Sequence, residues 1–151
     1  MKYIGSDLKK QCLVWKAQNK KIVFTNGCFD LLHEGHKDLL AKASTYGDIL
    51  IIGLNSDKSV KLNKGDSRPI QNQNTRSRVL LNSPYVDSVY FFDEKTPIKL
   101  IHLIKPDVLV KGGDYKPEEI VGALEVKRWS GKVKIIPLTP GFSTTNQINS
   151  M

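Results

Sequence analysis

The 151-residue sequence has few cysteines and no long hydrophobic run. Its two cysteines, Cys12 and Cys28, are too few for a disulfide framework, and their spacing fits no zinc site. The longest apolar segments, such as "DILIIGL", are far too short to cross a bilayer. The lysine-rich N-terminal segment lacks the unbroken apolar stretch of a signal peptide. We therefore expect one domain over residues 1–151, located in the cytoplasm.

Both common nucleotide-binding fingerprints are also missing. No Gly-x-Gly-x-x-Gly follows the first predicted strand, and no Gly-x-x-x-x-Gly-Lys-Ser/Thr occurs anywhere in the chain. A dinucleotide-binding enzyme of the common type and a P-loop NTPase are thereby excluded, so any nucleotide site must be built differently.

Positive charge is plentiful and uneven. The net charge is +8, and the segment from Lys58 to Arg78 holds six basic residues against one acidic residue, Asp66. Lysines and arginines are most often solvated surface groups. Their clustering also fits an anionic partner, either nucleic acid or a polyphosphate.

Apolar segments of four to eight residues alternate with helical patterns. Residues 1–20 are predicted to form an amphipathic helix, and residues 21–151 the core of the domain. The predicted strands are "KIVFTN", "DILIIGLNS", "VDSVYFF", "DVLV" and "KVKIIPL". The predicted helices between and after them are "HKDLLAKASTY", "NTRSRVLLNS", "IKLIHLI", "PEEIVGALEVKRW" and "STTNQINSM", with a basic loop after the second strand and a cap at Thr96-Pro97. This order predicts an α/β sandwich with a mainly parallel, five-stranded sheet and ligands at its carboxyl edge.

The most informative segment is "TNGCFDLLHEGH", residues 25–36, which joins the first predicted strand of the core to the next helix. It places His33 and His36 at the amino end of that helix, where free N–H groups and the helix dipole favour anions. Residues three apart share a helix face, so both imidazoles can reach one ligand. A zinc site and a purely structural pair of histidines are the alternatives.

The segment "TNGCFDLLHEGH" resembles the His-x-Gly-His signature of the cytidylyltransferase-like nucleotidyltransferases. The strings "GLNSD", "KGDSRP", "VDSVYFFDEKTP", "LIKPDVLVKGGDY" and "GFSTTN" follow in the order and spacing of one branch, the heptose 1-phosphate adenylyltransferases. In many bacteria that branch is the C-terminal half of a bifunctional kinase–adenylyltransferase. The resemblance covers nearly the whole chain from Lys21 onward. It implies a Rossmann-like three-layer sandwich and transfer of AMP from ATP to D-glycero-β-D-manno-heptose 1-phosphate, giving ADP-heptose and pyrophosphate.

The resemblance also implies roles for individual residues. His33 and His36 would hold the triphosphate, with Lys64 as the third catalytic candidate. The implied nucleotide-binding residues are Thr25, Asn26, Gly27, Cys28, Phe29, Lys111, Gly112, Asp114, Ser143, Thr144 and Thr145. The implied phosphate or substrate contacts are Asp30, Lys61, Arg68 and Arg76.

Several of these residues also have ordinary explanations. The Ser143–Thr145 run can simply cap a helix, although three hydroxyls in a row also suit an anion site. Asp114 can belong to a simple turn between strand and helix. Asp30 can orient either a metal ion or a backbone turn, and the sequence leaves this open.

The resemblance further implies a Mg²⁺ ion carried mainly by ATP, with no dedicated protein metal site. It implies ATP and a sugar 1-phosphate as partners, a homodimer, a separate sugar kinase upstream, and the cytoplasm of a bacterium. Neither nucleic acid nor a membrane is expected as a partner.

Two departures from the branch and two rival functions accompany these expectations. Leu124 stands where a charged residue is more typical, and Pro84 where some relatives have an arginine that aids triphosphate binding. One rival is a cytidylyltransferase for glycerol phosphate or ethanolamine phosphate. The other is a catalytically silent nucleotide- or RNA-binding module, which the intact histidine motif opposes.

Overall fold

Apolar runs without alternation form the centre of a parallel sheet in the computed structural model, which describes residues 3–4, 7–113 and 115–137. The six strands are β1 (Tyr3–Ile4), β2 (Ile22–Gly27), β3 (Ile49–Asn55), β4 (Ser88–Phe92), β5 (Val108–Gly112) and β6 (Lys132–Ile136). They pair in parallel in the order β1-β4-β3-β2-β5-β6. Every residue of β3 is buried, as expected for a strand covered on both faces.

Helices cover both faces of this sheet. They are α1 (Leu8–Ala17), α2 (Glu34–Ser44), α3 (Asp57–Lys64), α4 (Gln73–Leu81), α5 (Ile98–Ile104) and α6 (Ala123–Arg128), with a 3₁₀ turn at Pro117–Glu119. Phe24 and Ile51 pack on one face with residues of α1, α5 and α6, whereas Val23 and Ile52 pack on the other with residues of α2 and α4. The predicted α/β, Rossmann-like three-layer sandwich is confirmed. Within the described ranges, each helix is too short or too polar to span a membrane.

The strand order reverses next to β2. The chain runs outward from β2 through β3 to β4, and then returns to place β5 on the other side of β2. The pairs Val23–Val108 and Phe24–Leu109 join β2 to β5, so the carboxyl ends Gly27 and Gly112 lie beyond the paired part. In open parallel sheets, ligands bind in the crevice at such a reversal.

The prediction of one helix over residues 1–20 is wrong. Tyr3 and Ile4 pair with Ser88 and Val89 of β4, which adds a sixth, edge strand to the five that were predicted. The helix begins only at Leu8, after Tyr3 and Ile4 have paired with the sheet through their backbone groups.

The predicted basic loop is wrong in its first part, which folds as helix α3, whereas residues 65–72 form a loop as predicted. The Ser56 side chain caps this helix by accepting from the Ser59 backbone N–H, and Gly65 ends it with a φ of 91°. The predicted helix "PEEIVGALEVKRW" is interrupted by Gly122, whose φ of 89° is left-handed. The predicted hydroxyl cap at Thr96 is absent, since Pro97 occupies the cap position without a side-chain bond. The predicted last helix lies outside the described residues.

Candidate active site

The amino end of α2 is capped by histidine instead of the usual serine or aspartate. His33 is the cap residue, and its Nδ1 accepts hydrogen bonds from the backbone N–H groups of Gly35 (3.1 Å) and His36 (3.3 Å). In return, Nδ1 of His36 accepts from the backbone N–H of His33 at 3.3 Å. This reciprocal arrangement is a capping box in which imidazoles supply both acceptors.

The capping bonds fix the tautomer of both rings. A ring nitrogen that accepts a hydrogen bond carries no proton, so each neutral imidazole has its proton on Nε2. The rings stack with centroids 3.8 Å apart and planes 18° from parallel. The Phe29 ring meets His36 edge-on, with centroids 5.3 Å apart. Held between two rings, His36 offers a pre-oriented Nε2–H donor.

Both histidines are kept neutral by their surroundings. Burial lowers the pKa of His33. Burial is also the main cause that lowers the pKa of His36 to about 4, with smaller contributions from the charges of His33 and Lys64. At neutral pH without a ligand, His36 is therefore a hydrogen-bond donor and carries no charge. A bound phosphate would raise its pKa, because a nearby anion favours the protonated form.

The low pKa of His36 predicts a loss of stability in acid. The folded-state pKa of about 4 lies below the unfolded value of 6.5, so the unfolded chain binds more protons between these pH values. The stabilising contribution should be complete above about pH 6.5 and decline as the pH falls towards 4. The free energy of unfolding in urea, measured at pH 7 and pH 5, should fall less for His36→Gln than for the unchanged chain. Equal falls would contradict the pKa.

His36 borders a cleft at the carboxyl edge of the sheet, at the reversal of strand order. A recess of about 150 Å³ is lined by Asn26, Gly27, Cys28, Phe29, His36, Leu39, Lys64, Lys111 and Gly112. A larger cavity of about 500 Å³ shares five of these residues and continues to Asn55, Asn63, Lys95, Thr96, Pro97, Tyr115, Glu119, Ile120 and Val121. The structure thus brings together eight of the residues predicted from sequence: Asn26, Gly27, Cys28, Phe29, His36, Lys64, Lys111 and Gly112.

Two lysines face both compartments from different elements. Lys64 is the last residue of α3 and is exposed, whereas Lys111 lies near the end of β5 and is half-buried. Burial lowers the pKa of Lys111, and the charge of Lys64 adds to this, while the Cys28 thiol opposes it. The Lys111 ammonium also lies 5.3 Å from the centre of the Tyr115 ring. Two lysines that line the same recess can together bind a polyanion.

Asp30 is a structural residue in this geometry. Its carboxylate is 1% exposed and accepts from the backbone N–H groups of Ile70 (2.7 Å) and Gln71 (2.9 Å), and from Nε of Arg68 (3.4 Å). Asp30 is absent from the cleft lining, and its predicted substrate contact stays a prediction. Of the alternatives that the sequence left open, the structure favours the backbone turn.

Arg76 is likewise a structural residue, although its sequence context indicated a phosphate contact. Its side chain is 0% exposed and donates to four protein acceptors. These are Gln71 O (2.9 Å), Cys28 O (2.9 Å), Asn55 O (2.7 Å) and Asp57 Oδ1 (2.8 Å). A guanidinium surrounded in this way presents no free face to the cleft in this structure, and its predicted phosphate contact stays a prediction. Arg76 instead joins the loops that follow β2 and β3.

The remaining predicted residues lie outside the cleft lining or outside the described chain. Thr25 is 1% exposed and His33 is 6% exposed, and neither belongs to the cleft lining. Lys61 donates to the backbone oxygen of Arg68 at 2.9 Å, and the Arg68 side chain points to Asp30. Asp114 and the Ser143–Thr145 run lie outside the described residues.

Sequence reasoning missed the wall formed by β3, α3 and the loop after β4. Asn55 ends β3 beside β2, so the rule that ligands meet strand ends could have identified it. Asn63 donates from its amide to the backbone oxygen of Lys95 at 3.0 Å, which joins α3 to the β4–α5 loop. This contact depends on the helix that was read as a loop, so no sequence signal pointed to it.

The two departures from the branch lie away from this cleft. Leu124 is 60% exposed and borders a different recess on α6, and Pro84 is exposed in the turn after α4. Among the residues that the structure describes, no group of three or more His, Cys, Asp or Glu side chains could hold a metal ion.

A model of the cytidylyltransferase-like family matches residues 24–149, which include the capped histidine pair and both lysines. The chain belongs to the cytidylyltransferase-like family. The predicted nucleotidyltransferase class is confirmed by this family, because transfer of a cytidylyl group is one form of nucleotidyl transfer.

Among the relatives of this cytidylyltransferase-like chain are bifunctional proteins named HldE. It is 52% identical over 143 residues to the bifunctional protein HldE of Koribacter versatilis, and 52% identical over 137 residues to that of Methylobacillus flagellatus. The matches cover 95% and 91% of this chain, but only 29% and 28% of those proteins. The chain therefore spans less than a third of the length of these relatives. These identities confirm the predicted resemblance to the heptose 1-phosphate adenylyltransferase branch of the family.

Solved structures agree with this assignment. A lipopolysaccharide core biosynthesis protein from Thermoplasma volcanium superposes with a TM-score of 0.64 at 28% identity, over 80% of this chain and 97% of that one. A pantoate–β-alanine ligase from Francisella tularensis, solved in complex with β-γ ATP and β-alanine, superposes with a TM-score of 0.65 at 20% identity, over 100% of this chain and 74% of that one. The second likeness concerns the fold alone.

Proposed function

We propose that the protein transfers AMP from ATP to a sugar 1-phosphate, D-glycero-β-D-manno-heptose 1-phosphate, and releases pyrophosphate. One observation carries the proposal: His36, Lys64 and Lys111 line one recess at the amino end of α2. The high identity to bifunctional HldE proteins supports a role in heptose and lipopolysaccharide synthesis. The lipopolysaccharide core biosynthesis protein of the same fold supports the same context.

The proposed reaction needs charge stabilisation more than acid–base chemistry. An oxygen of the sugar phosphate attacks the α-phosphorus of ATP, while the bond to the bridging oxygen of pyrophosphate breaks. The attacking oxygen is already anionic, so no strong base is needed. The Nε2–H of His36 would donate to the α-phosphate as its negative charge redistributes, and Lys64 and Lys111 would bind the charged oxygens on either side.

Lys64 should be needed for catalysis, whereas Lys58 on the same helix should not. Both lysines are exposed, but only Lys64 lines the cleft. Lys64→Gln should lower kcat/KM by about tenfold or more, because one charge-assisted contact to phosphate is lost. The matched Lys58→Gln variant should keep kcat/KM within about twofold, since Lys58 lies outside the cleft and salt screens exposed charges that do not contact the ligand. Steady-state kinetics at 0.15 M salt distinguish them, and equal losses would refute the role of Lys64.

Magnesium enters this proposal with the nucleotide. Glu119 is the single carboxylate lining the cleft among the described residues, and it already accepts from the Lys116 backbone N–H at 3.1 Å. These residues do not form a Mg²⁺ cage, since the ion prefers several oxygen ligands and keeps much of its water. A Mg²⁺ ion coordinated by the phosphates of ATP fits such a basic cleft.

The larger cavity suits a hydroxyl-rich acceptor. Its lining includes the polar residues Asn55, Asn63, Thr96 and Lys95. Groups of this kind hydrogen-bond sugar hydroxyls and a phosphate. The Asn63 amide nitrogen already donates to two backbone oxygens, so its amide oxygen is the group left for a ligand. We place the sugar 1-phosphate here and the triphosphate in the recess beside His36.

Pyrophosphate release tests the proposed function, with ATP, CTP, GTP and UTP each paired with heptose 1-phosphates, glycerol 3-phosphate and ethanolamine phosphate. Release only with ATP and D-glycero-β-D-manno-heptose 1-phosphate is the expected result. Release with CTP and glycerol 3-phosphate would show that the chain is a cytidylyltransferase for a small alcohol phosphate. No release with any pair would favour a silent binding module.

The proposal extends to the setting of the enzyme. A sugar kinase activity would supply the 1-phosphate, and the protein would act as a homodimer in the bacterial cytoplasm. Size-exclusion chromatography with light scattering checks the dimer.

A further inference from the structure

We propose a second anion-binding site at the opposite edge of the sheet, for a small ligand that carries phosphate groups. The site is a groove of about 420 Å³ at the amino ends of β2 and β5. Lys21 directly precedes β2, and Asp107 directly precedes β5. The candidate active site lies at the carboxyl ends of the same two strands, so the two sites are on opposite edges of the sheet.

Four lysines line this groove: Lys16, Lys20, Lys21 and Lys105. None of them has a carboxylate within ion-pair distance among the described residues, although Lys37 and Lys42 on α2 pair with Glu34 and Asp38. Crowding like charges without counter-ions costs free energy. A bound anion would remove that cost.

Three polar groups accompany the lysines in the groove: the Asp107 carboxylate, the Trp129 indole and the Asn19 amide. Asp107, its one carboxylate among the described residues, accepts from the Ile22 backbone N–H at 2.8 Å, and its single negative charge faces four lysines. The indole N–H of Trp129 donates to the Pro106 backbone oxygen at 3.0 Å. The ammonium groups and the Asn19 amide are therefore the donors that a ligand can meet.

A hydrogen bond between α1 and the end of α5 joins the two sides of the groove. Lys16 donates from Nζ to the backbone oxygen of Lys105 at 3.2 Å, which bridges the ends of α1 and α5. Lys105 itself has a left-handed φ of 48°, an unusual conformation for a residue other than glycine. A cavity of this size and charge fits a compact polyanion such as pyrophosphate or the phosphates of a nucleotide.

The test follows pyrophosphate titration of the whole chain by ¹H–¹⁵N NMR in 0.1 M salt. Signals of Lys20, Lys21 and the Trp129 indole N–H should shift saturably. In the double variant Lys20→Gln/Lys21→Gln, the pyrophosphate Kd obtained from these groove signals should rise by at least about tenfold, because two charge-assisted contacts are lost. Shifts at Lys64 and Lys111 should keep their Kd, and this reports the candidate active site separately.

The double variant Lys10→Gln/Lys99→Gln is the matched control, since both lysines are exposed, lie on α1 and α5, and are outside the groove. It should leave the groove Kd unchanged. The proposal is overturned if the groove signals move without saturating, or if the control weakens binding as much as Lys20→Gln/Lys21→Gln does. Binding to phosphatidylglycerol vesicles without saturable pyrophosphate shifts would also overturn it, because a flat lipid surface needs no groove. None of these readouts depends on turnover, so failure of the proposed function would leave them intact.

Discussion

Replacing His36 by alanine should lower kcat by about a hundredfold or more while the protein stays folded. The imidazole is held between His33 and Phe29 with its Nε2–H as the donor for the cleft. Alanine removes a donor that is already oriented, so the loss should appear when charge moves in the transition state. A loss confined to KM would mean that His36 only binds substrate. Single-turnover kinetics with saturating ATP separate these cases.

The His36 variant needs two controls because the ring also caps α2. His36→Gln keeps a side-chain acceptor at the same capping position, so it should preserve the helix, and any turnover that its amide N–H recovers measures what a donor without the stacked imidazole contributes. His102, the third histidine, is exposed on α5 and lies outside the cleft, so His102→Ala should keep kcat. Near-normal turnover of His36→Ala, or an equal loss for His102→Ala, would contradict the account.

Replacing Arg76 by methionine should destabilise the fold by about 3–5 kcal/mol. The substitution leaves the backbone oxygens of Cys28 and Asn55 buried without their donor, and it removes the ion pair with Asp57. Arg76→Lys should recover little, because a single ammonium cannot reach acceptors arranged around a planar guanidinium. The free energy of unfolding in urea measures both effects.

Arg78 provides the matched control, since it is also an arginine of α4 but is exposed. Arg78→Met should change the free energy of unfolding by about 0.5 kcal/mol or less. If Arg76→Met instead kept the stability of the unchanged chain and lost turnover, Arg76 would contact substrate directly. Its burial in this structure would then not describe the working enzyme.

Much of the site could be predicted from sequence because it follows from local rules. A histidine pair three residues apart, after an apolar strand, fixes the amino end of α2. Lys111 was implied by the family resemblance, and its place at the end of β5, where parallel strands present ligand contacts, agrees with that role. The position of the histidine pair needs only a strand end and a helix start, and both can be recognised from the apolar runs.

The rest depends on tertiary contacts that no local pattern contains. The family resemblance implied ligand contacts for Arg76 and Asp30, and nothing in the local sequence showed that both side chains are buried. Their partners are backbone groups from segments far away in sequence: Arg76 bonds the Cys28 oxygen, and Asp30 bonds the Gln71 N–H. Helix α3 was missed because its buried residues are only Ser59 and Val60, too few for an apolar period.

A crystal structure with a non-hydrolysable ATP analogue and Mg²⁺ tests the central claim most directly. The account predicts the α-phosphate within hydrogen-bond distance of His36 Nε2, with Lys64 and Lys111 on its charged oxygens. A nucleotide bound elsewhere, or the two imidazoles turned away from its phosphates, would contradict it.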